Sequence, residues 1–236
     1  MTPKVTFITS IVNYKWIDQC RYYLETEVKT PYEWFVLENT GKVPVSFAAA
    51  NNFLASFVET EFICFLNDDV VMLGDPLPNM LKEFEDSKVG IVGTKLSFPD
   101  WRIQHGGVGF GKQSGVFLPG HMGCDMVDVG QVDKINHCPV TFAVAMTRTA
   151  LFKEFGSLSE MYVNGFEDLD YCFKVADAGY ECVYTPTVPI IHIQHGSRDF
   201  KRDSYNWAMF KGKWGRHLDI IEANQKKMEE RGRTNG

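Results

Sequence analysis

The sequence predicts an α/β fold. It has a Rossmann-like, mainly parallel central sheet with helices on both faces, as a single domain with a C-terminal helical appendage. Three observations predict it. Strand and helix patterns alternate along the first hundred residues. The third strand pattern, Phe62-Ile63-Cys64-Phe65-Leu66, is apolar at every position, as in a strand covered on both faces. The last segment, from about residue 203, is polar with helical spacing.

The elements follow in order. Val5-Thr6-Phe7-Ile8-Thr9 reads as the first strand, and Trp16 to Glu27 as a helix with Trp16, Cys20, Tyr23 and Leu24 on one face. Glu33 to Leu37 is a second strand, ending at the turn Glu38-Asn39-Thr40-Gly41. An Ala-rich helix spans Phe47 to Phe57, and Phe62 to Leu66 is the third strand. Leu77 to Glu85 is a helix and Val89 to Val92 a strand. This βαβαβ start predicts a doubly wound parallel sheet with right-handed crossovers. Ligands of such sheets lie beyond the carboxyl ends of the strands.

The second half is different in texture. Residues 97 to 140 are rich in glycine and turn formers. Thr141 to Thr147 reads as a strand, Arg148 to Phe155 as a helix, and Glu167 to Ala178 as a helix stopped by Gly179. Glu181 to Tyr184 and Val188 to Ile191 are strands. With no repeat and no linker, the expected organisation is one domain over 1–200, with halves at about 1–100 and 101–200, followed by a helical tail at 201–236.

Composition limits the function classes. A chain of 236 residues with 44% apolar and 23% charged residues can bury a full core. Its net charge of -6 argues against nucleic-acid binding through an overall positive field. No apolar run is long enough to cross a bilayer, and the N-terminus lacks a signal-peptide layout. The six cysteines are scattered with no CxxC pair, which fits a reduced, cytoplasmic setting. A zinc site from His121, Cys124, His137 and Cys138 would match no common ligand spacing.

Chemistry-bearing residues gather at strand ends. Asn67-Asp68-Asp69 directly follows the third strand. Two carboxylates and an amide are hard oxygen ligands, the set that Mg²⁺ or Mn²⁺ takes together with a diphosphate. The same residues also suit a turn or cap. Gly165-Phe166-Glu167-Asp168-Leu169-Asp170 opens a helix. Acidic groups are favoured at a helix N-terminus, and that explains Asp170. Three acids in four residues exceed the need of one cap, so Glu167 and Asp168 are candidates for taking a proton from a hydroxyl. His192 and His195 end another apolar strand, and either could ligate a metal.

Together these segments resemble the family 2 glycosyltransferases of the GT-A fold, especially the rhamnosyltransferase-like branch, over about residues 4 to 216. Phe65 to Val70 resembles the metal-binding segment, and Arg102-Ile103-Gln104-His105-Gly106-Gly107-Val108 a segment that commonly follows. Gly165 to Cys172 with Ala178-Gly179-Tyr180 resembles the Glu-Asp motif and its helix. His192 with Gly196-Ser197 resembles the closing metal-histidine segment, and Phe210 to Gly215 the Lys-Trp-Gly ending.

The resemblance implies a nucleotide-binding half at about 1–100, an acceptor-binding half at about 101–200, and roles for single residues. Asp69 and His192 would be metal ligands, His192 preferred over His195 by its spacing to Ser197. Asp68 and Asn67 would face ribose and diphosphate, with Ser10, Glu38 and Asn51 on the nucleotide side. Asp168 would be the catalytic base, and His105, Glu167, Lys213 and Trp214 would meet acceptor or donor sugar. Glu38 stands where an Asp is usual, and Val12 where an aromatic is common.

The implied activity is inverting, metal-dependent transfer from a nucleoside-diphosphate sugar to an acceptor hydroxyl. The acceptor is a glycan, a lipid-linked glycan met at the membrane surface, or another hydroxyl compound. Two other classes are weighed. A nucleotidyltransferase would carry a glycine-rich loop after the first strand, where Ile11-Val12-Asn13-Tyr14-Lys15 stands. A non-catalytic nucleotide-sugar binder would not need Asp69, Asp168 and His192 together.

Two stretches keep two readings each. Gly106-Gly107-Val108-Gly109-Phe110-Gly111 opens no helix and is no dinucleotide fingerprint, leaving a mobile loop over the donor sugar or a plain connection. The tail's Lys211, Lys213 and Arg216 with Trp207 and Trp214 either line an acceptor groove or help cover the diphosphate, or they belong to a helix docked through its aromatics.

Overall fold

The computed structural model describes residues 2–41, 44–113, 116–128, 133–193 and 203–234. A six-stranded sheet forms its centre, built from β1 (Val5–Ile11), β2 (Tyr32–Glu38), β3 (Phe62–Leu66), β5 (Val89–Gly93), β10 (Val144–Arg148) and β11 (Glu181–Tyr184). Their order is β11-β5-β10-β3-β1-β2. Pairs β1–β2, β1–β3 and β11–β5 are parallel.

Alternation along each strand sorts side chains to the two faces. Val5 and Phe7 of β1 with Phe62, Cys64 and Leu66 of β3 face one way. They pack on Ile17, Cys20 and Leu24 of α1 (Tyr14–Glu27) and on Leu77 and Met80 of α3 (Leu77–Glu83). Ile8, Ile63 and Phe65 face the other way. There they meet α2 (Phe47–Ser56), α4 (Thr149–Glu154) and α5 (Glu167–Asp177) through Leu54, Phe152 and Tyr171. Both faces are therefore covered, as the apolar third strand predicts.

One topological feature departs from a purely parallel sheet. β10 inserts between β3 and β5 and runs antiparallel to both. The first-half strands β3 and β5 are thus joined through a second-half strand. Gly93 of β5 leaves room for Val140, which precedes β10, since a Cβ there would lie 2.4 Å from the Val140 side chain.

Helix starts follow from local chemistry. Asn13 caps α1 by accepting from Lys15 N at 3.0 Å, and Ser46 caps α2 by accepting from Ala49 N at 3.1 Å. α5 begins after Phe166 in a left-handed conformation and ends at Gly179, with φ of 76° and 87°.

A four-stranded sheet of β4 (Val70–Met72), β12 (Ile190–His192), β6 (Leu96–Ser97) and β7 (Ile103–His105) lies beside the main one, in that order. The glycine-rich stretch forms neither a loop nor a helix start. It is a two-stranded ribbon, β8 (Val108–Gln113) against β9 (Val116–His121). Gly107 precedes it at φ +95°, where a Cβ would lie 2.4 Å from Cys138 Sγ. No helix among the described residues is long and apolar enough to cross a membrane. The six cysteines are free thiols.

Candidate active site

The acidic turn after β3 has a divided structure. Asp68 is buried, and its Oδ2 accepts Val12 N at 2.9 Å and Asn13 N at 3.3 Å. It thereby ties the end of β3 to the loop between β1 and α1. Burial pushes its carboxyl above the usual range, opposed by those two backbone donors, with the neighbouring Asp69 charge adding to the rise.

Asp69 points toward β12. Its Oδ1 lies 3.1 Å from His192 Nε2, and its carbonyl accepts Ile193 N at 3.0 Å. Asn67 Nδ2 is 3.3 Å from the same His192 Nε2. Gln104 of β7 determines how that imidazole is protonated. Its Nε2 donates to His192 O at 3.0 Å, and a carbonyl only accepts. The Gln104 Oε1 therefore faces His192 Nδ1, at 2.5 Å, and the proton sits on Nδ1. The other ring nitrogen, Nε2, faces Asp69 Oδ1.

This donor set fits a divalent cation. Ligands about 2.1 Å from an octahedral ion lie about 3.0 Å apart along a cis edge, close to the Asp69–His192 spacing. Gln104 stands where an outer hydrogen-bond acceptor would orient a ligating histidine. Among the described residues, no cluster of three or more His, Cys, Asp or Glu side chains could hold a metal by itself. An ion here would depend on phosphate oxygens and water for its remaining positions.

Ser10 and Glu38 lie at the carboxyl ends of β1 and β2. Ser10 Oγ accepts from Asn39 Nδ2 at 3.2 Å, and Glu38 Oε2 accepts from Tyr14 Oη at 2.8 Å. Asn39 is buried and also closes on both backbone polar groups of Val45, holding the loop that leads to α2. Asn51 is buried within α2, its Nδ2 donating to Phe47 O at 2.9 Å.

Asp168 lies at the start of α5. Its Oδ1 accepts Leu169 N at 2.7 Å and its Oδ2 accepts Phe142 N at 3.4 Å. The next residue, Ala143, accepts Asn67 N at 3.0 Å through its carbonyl. Two adjacent residues thus join Asp168 to the acidic turn. Asp168 borders a cavity of about 400 Å³, lined also by His121, Thr141, Phe166, Ser204 and Trp207. That is the size of a small-molecule site.

Glu167 is buried, and its Oε2 accepts Gly165 N at 2.6 Å, bracing the left-handed turn before α5. Asp170, fully buried, accepts from Trp214 Nε1 at 2.7 Å, Lys213 Nζ at 2.7 Å and Tyr162 Oη at 3.1 Å. These bonds dock α6 (Asp203–Thr234) onto α5, reinforced by Phe173, Phe210 and Leu218. Lys213 and Trp214 are turned to Asp170, and neither borders the cavity. Trp207, from the same helix, does. His105 is buried beside His121 and Thr141 and faces away from solvent. His195 and Ser197 lie outside the described residues.

Gln104, His121 and Thr141 were not reached from sequence as site residues. The adjacency of Gln104 and His105 on one short strand is the signal that could have found them, since alternate residues serve opposite faces.

No family model matches the chain. It is 33% identical over 189 residues to "Uncharacterized protein y4gI" of Sinorhizobium fredii (strain NBRC 101917 / NGR234), covering 78% of this chain and 20% of that protein. It is 29% identical over 164 residues to "O-antigen biosynthesis protein RfbC" of Myxococcus xanthus, covering 66% of this chain and 12% of that protein. The chain thus spans a fifth or less of the length of these curated relatives. Among solved structures it is similar to GalNAc-T7, crystallised with UDP, GalNAc and Mn²⁺, at a TM-score of 0.60 and 8% identity. That match covers 81% of this chain and 44% of the other. The fold is therefore that of a GT-A-like glycosyltransferase.

Proposed function

We propose that the chain is an inverting, family 2-like glycosyltransferase that moves a sugar from a nucleoside-diphosphate sugar to an acceptor hydroxyl. The observation that carries this reading is the Asp69–His192 donor pair at strand ends, joined through Phe142 and Ala143 to Asp168 at the wall of a cavity. The likeness to GalNAc-T7 with its UDP and Mn²⁺ and to an O-antigen biosynthesis protein supports it.

In this reading Ser10, Glu38 and Asn51 serve the nucleotide side, with Asp68 shaping the loop that receives it. Asn67, Asp69 and His192 hold the metal and diphosphate end. Bound Mn²⁺ or Mg²⁺ would neutralise charge growing on the leaving diphosphate. Asp168, with one oxygen on Leu169 N and the other on Phe142 N, is held in a fixed orientation at the cavity. It takes the proton from the acceptor hydroxyl as that oxygen attacks the anomeric carbon. Six free thiols agree with a cytoplasmic setting, where a lipid-linked acceptor would be met at the membrane surface.

A panel of UDP-, dTDP- and GDP-sugars with Mn²⁺ and glycan acceptors tests the reading. Release of nucleoside diphosphate that depends on the acceptor is the expected result. Release of pyrophosphate would identify a nucleotidyltransferase instead, and tight binding with no product a non-catalytic binder.

A further inference from the structure

Asn206 lies in the first turn of α6 and is fully buried. Its Oδ1 accepts Val163 N at 3.0 Å, and its Nδ2 donates to Val163 O at 3.1 Å. One amide side chain thus clasps both backbone polar groups of one residue, and these partners fix which of its ends is oxygen. Burying an amide has a cost that an apolar residue docking the same helix would avoid. The clasp therefore serves orientation as well as docking.

Val163 leads into an uncommon turn. The next three residues, Asn164, Gly165 and Phe166, all have positive φ, of 46°, 151° and 76°. Asparagine tolerates such angles, whereas a bulky phenylalanine adopts them rarely. A conformation of this kind persists only where its surroundings over-determine it. Two helices do so here. From α2, Phe47 N donates to Asn164 Oδ1 at 3.0 Å. From α6, Asn206 holds Val163, while the rings of Trp207 and Phe210 lie 6.1 and 5.6 Å from that of Phe166.

The turn sets the direction of α5. Phe166 O accepts Asp170 N at 2.8 Å, which begins the helix two residues from Asp168. Asp168 then reaches Leu169 N with one oxygen and Phe142 N with the other. Gly165, Phe166 and Asp168 line one side of the cavity, and Ser204 and Trp207 of α6 line it as well. Asn206 is a hydrogen-bonded link between these two walls. Relaxation of the turn would swing the first turn of α5 and draw Asp168 away from Phe142 N.

We propose that Asn206 is a positioning residue for the transfer: by clasping Val163 it holds the left-handed turn that aims Asp168 into the cavity. The aim of the carboxylate stands on geometry alone, whereas its consequence for turnover rests on the transferase reading.

Hydrogen exchange of the full chain, read at single amides, tests the first part. Asn206→Ala removes both bonds to Val163. The Leu169 and Phe142 amides, which touch Asp168 and not Asn206, should exchange at least about tenfold faster, while amides of β1 and β3 keep wild-type protection. Asn206→Asp keeps the acceptor for Val163 N, and burial favours its protonated form, whose O–H serves Val163 O. It should recover most of the protection. Asn206→Ser, whose one hydroxyl cannot reach both groups, carries the same test if Asn206→Ala does not fold. In the second part, turnover per folded molecule of Asn206→Ala should fall about 10²-fold, with UDP–Mn²⁺ affinity unchanged and turnover largely regained in Asn206→Asp. Wild-type exchange at Leu169 and Phe142 would overturn the positioning role, and so would equal acceleration in β1 and β3. An Asn206→Asp variant no better than Asn206→Ala would overturn the clasp as the cause. Faster local exchange with wild-type turnover would overturn the consequence for transfer. Absence of transfer by the wild type from any donor would count against the transferase reading alone, and the exchange result would still decide the clasp.

Discussion

Asp69 Oδ1 and His192 Nε2 face each other at 3.1 Å across the gap between the end of β3 and the end of β12. Gln104 fixes a proton on Nδ1, so when the ring is neutral both atoms offer lone pairs to the same space. Two acceptors repel unless a proton or a metal lies between them. In the proposed metal site Asp69 is the harder ligand, and Asp69→Ala removes it. We expect it to abolish the Mn²⁺ dependence of UDP binding, with calorimetry returning the same weak affinity with and without the ion. Unchanged metal-dependent affinity would place the ion elsewhere.

In the proposed site, Gln104 would act on the same ion through His192. Gln104→Leu leaves His192 Nδ1–H without its side-chain acceptor and frees the ring to turn. Loss of such an outer partner usually weakens metal affinity about 10- to 100-fold. We expect a weakening in that range for Mn²⁺ measured in the presence of UDP, with little change in UDP binding without metal. An equal loss in both measurements would mean that the strand had been disturbed rather than the ligand.

Asp168 is separated from that pair by the Phe142–Ala143 segment, so binding and proton transfer should be separable. Asp168→Asn keeps an oxygen for Leu169 N but cannot take a proton. General-base contributions are about 10²- to 10⁴-fold. Turnover should fall by at least that range while UDP–Mn²⁺ affinity stays within about twofold of wild type. Retention of most of the turnover would exclude Asp168 as the base.

The layered fold and the acidic turn were legible because their signals are local. An all-apolar Phe62–Leu66 run demands cover on both faces, and the structure supplies it. The antiparallel β10 was not legible. A short strand pattern at residues 144 to 148 looks the same whether it pairs parallel or antiparallel, and its partners β3 and β5 are more than fifty residues away. The ribbon at Val108–His121 was hidden for a different reason, since glycine permits many conformations and specifies none. The hydrogen bonds of Gln104 and His105 depend on partners 88 and 16 residues away, and no periodicity encodes them.

Asp170 shows that the third acid of its cluster has a different task from its neighbours. The carboxylate is fully buried and accepts from Tyr162, Lys213 and Trp214, with Lys174 Nζ at 3.7 Å. Removing one partner of a buried pair leaves the others without compensation and typically costs about 3–5 kcal/mol. Asp170→Ala should therefore lower Tm by about 6 to 20 °C for a chain of this size, at roughly 2–4 °C per kcal/mol. Lys213→Met should cost much less, because Trp214, Tyr162 and Lys174 still serve the carboxylate. α6 also carries Trp207 to the cavity wall, so the two variants should differ there as well. In Asp170→Ala, trypsin should cleave within residues 203 to 226 faster than in wild type, while Lys213→Met resists like wild type. Equal protection in all three proteins would mean that the aromatic contacts of Phe173 and Phe210, and not Asp170, hold the helix.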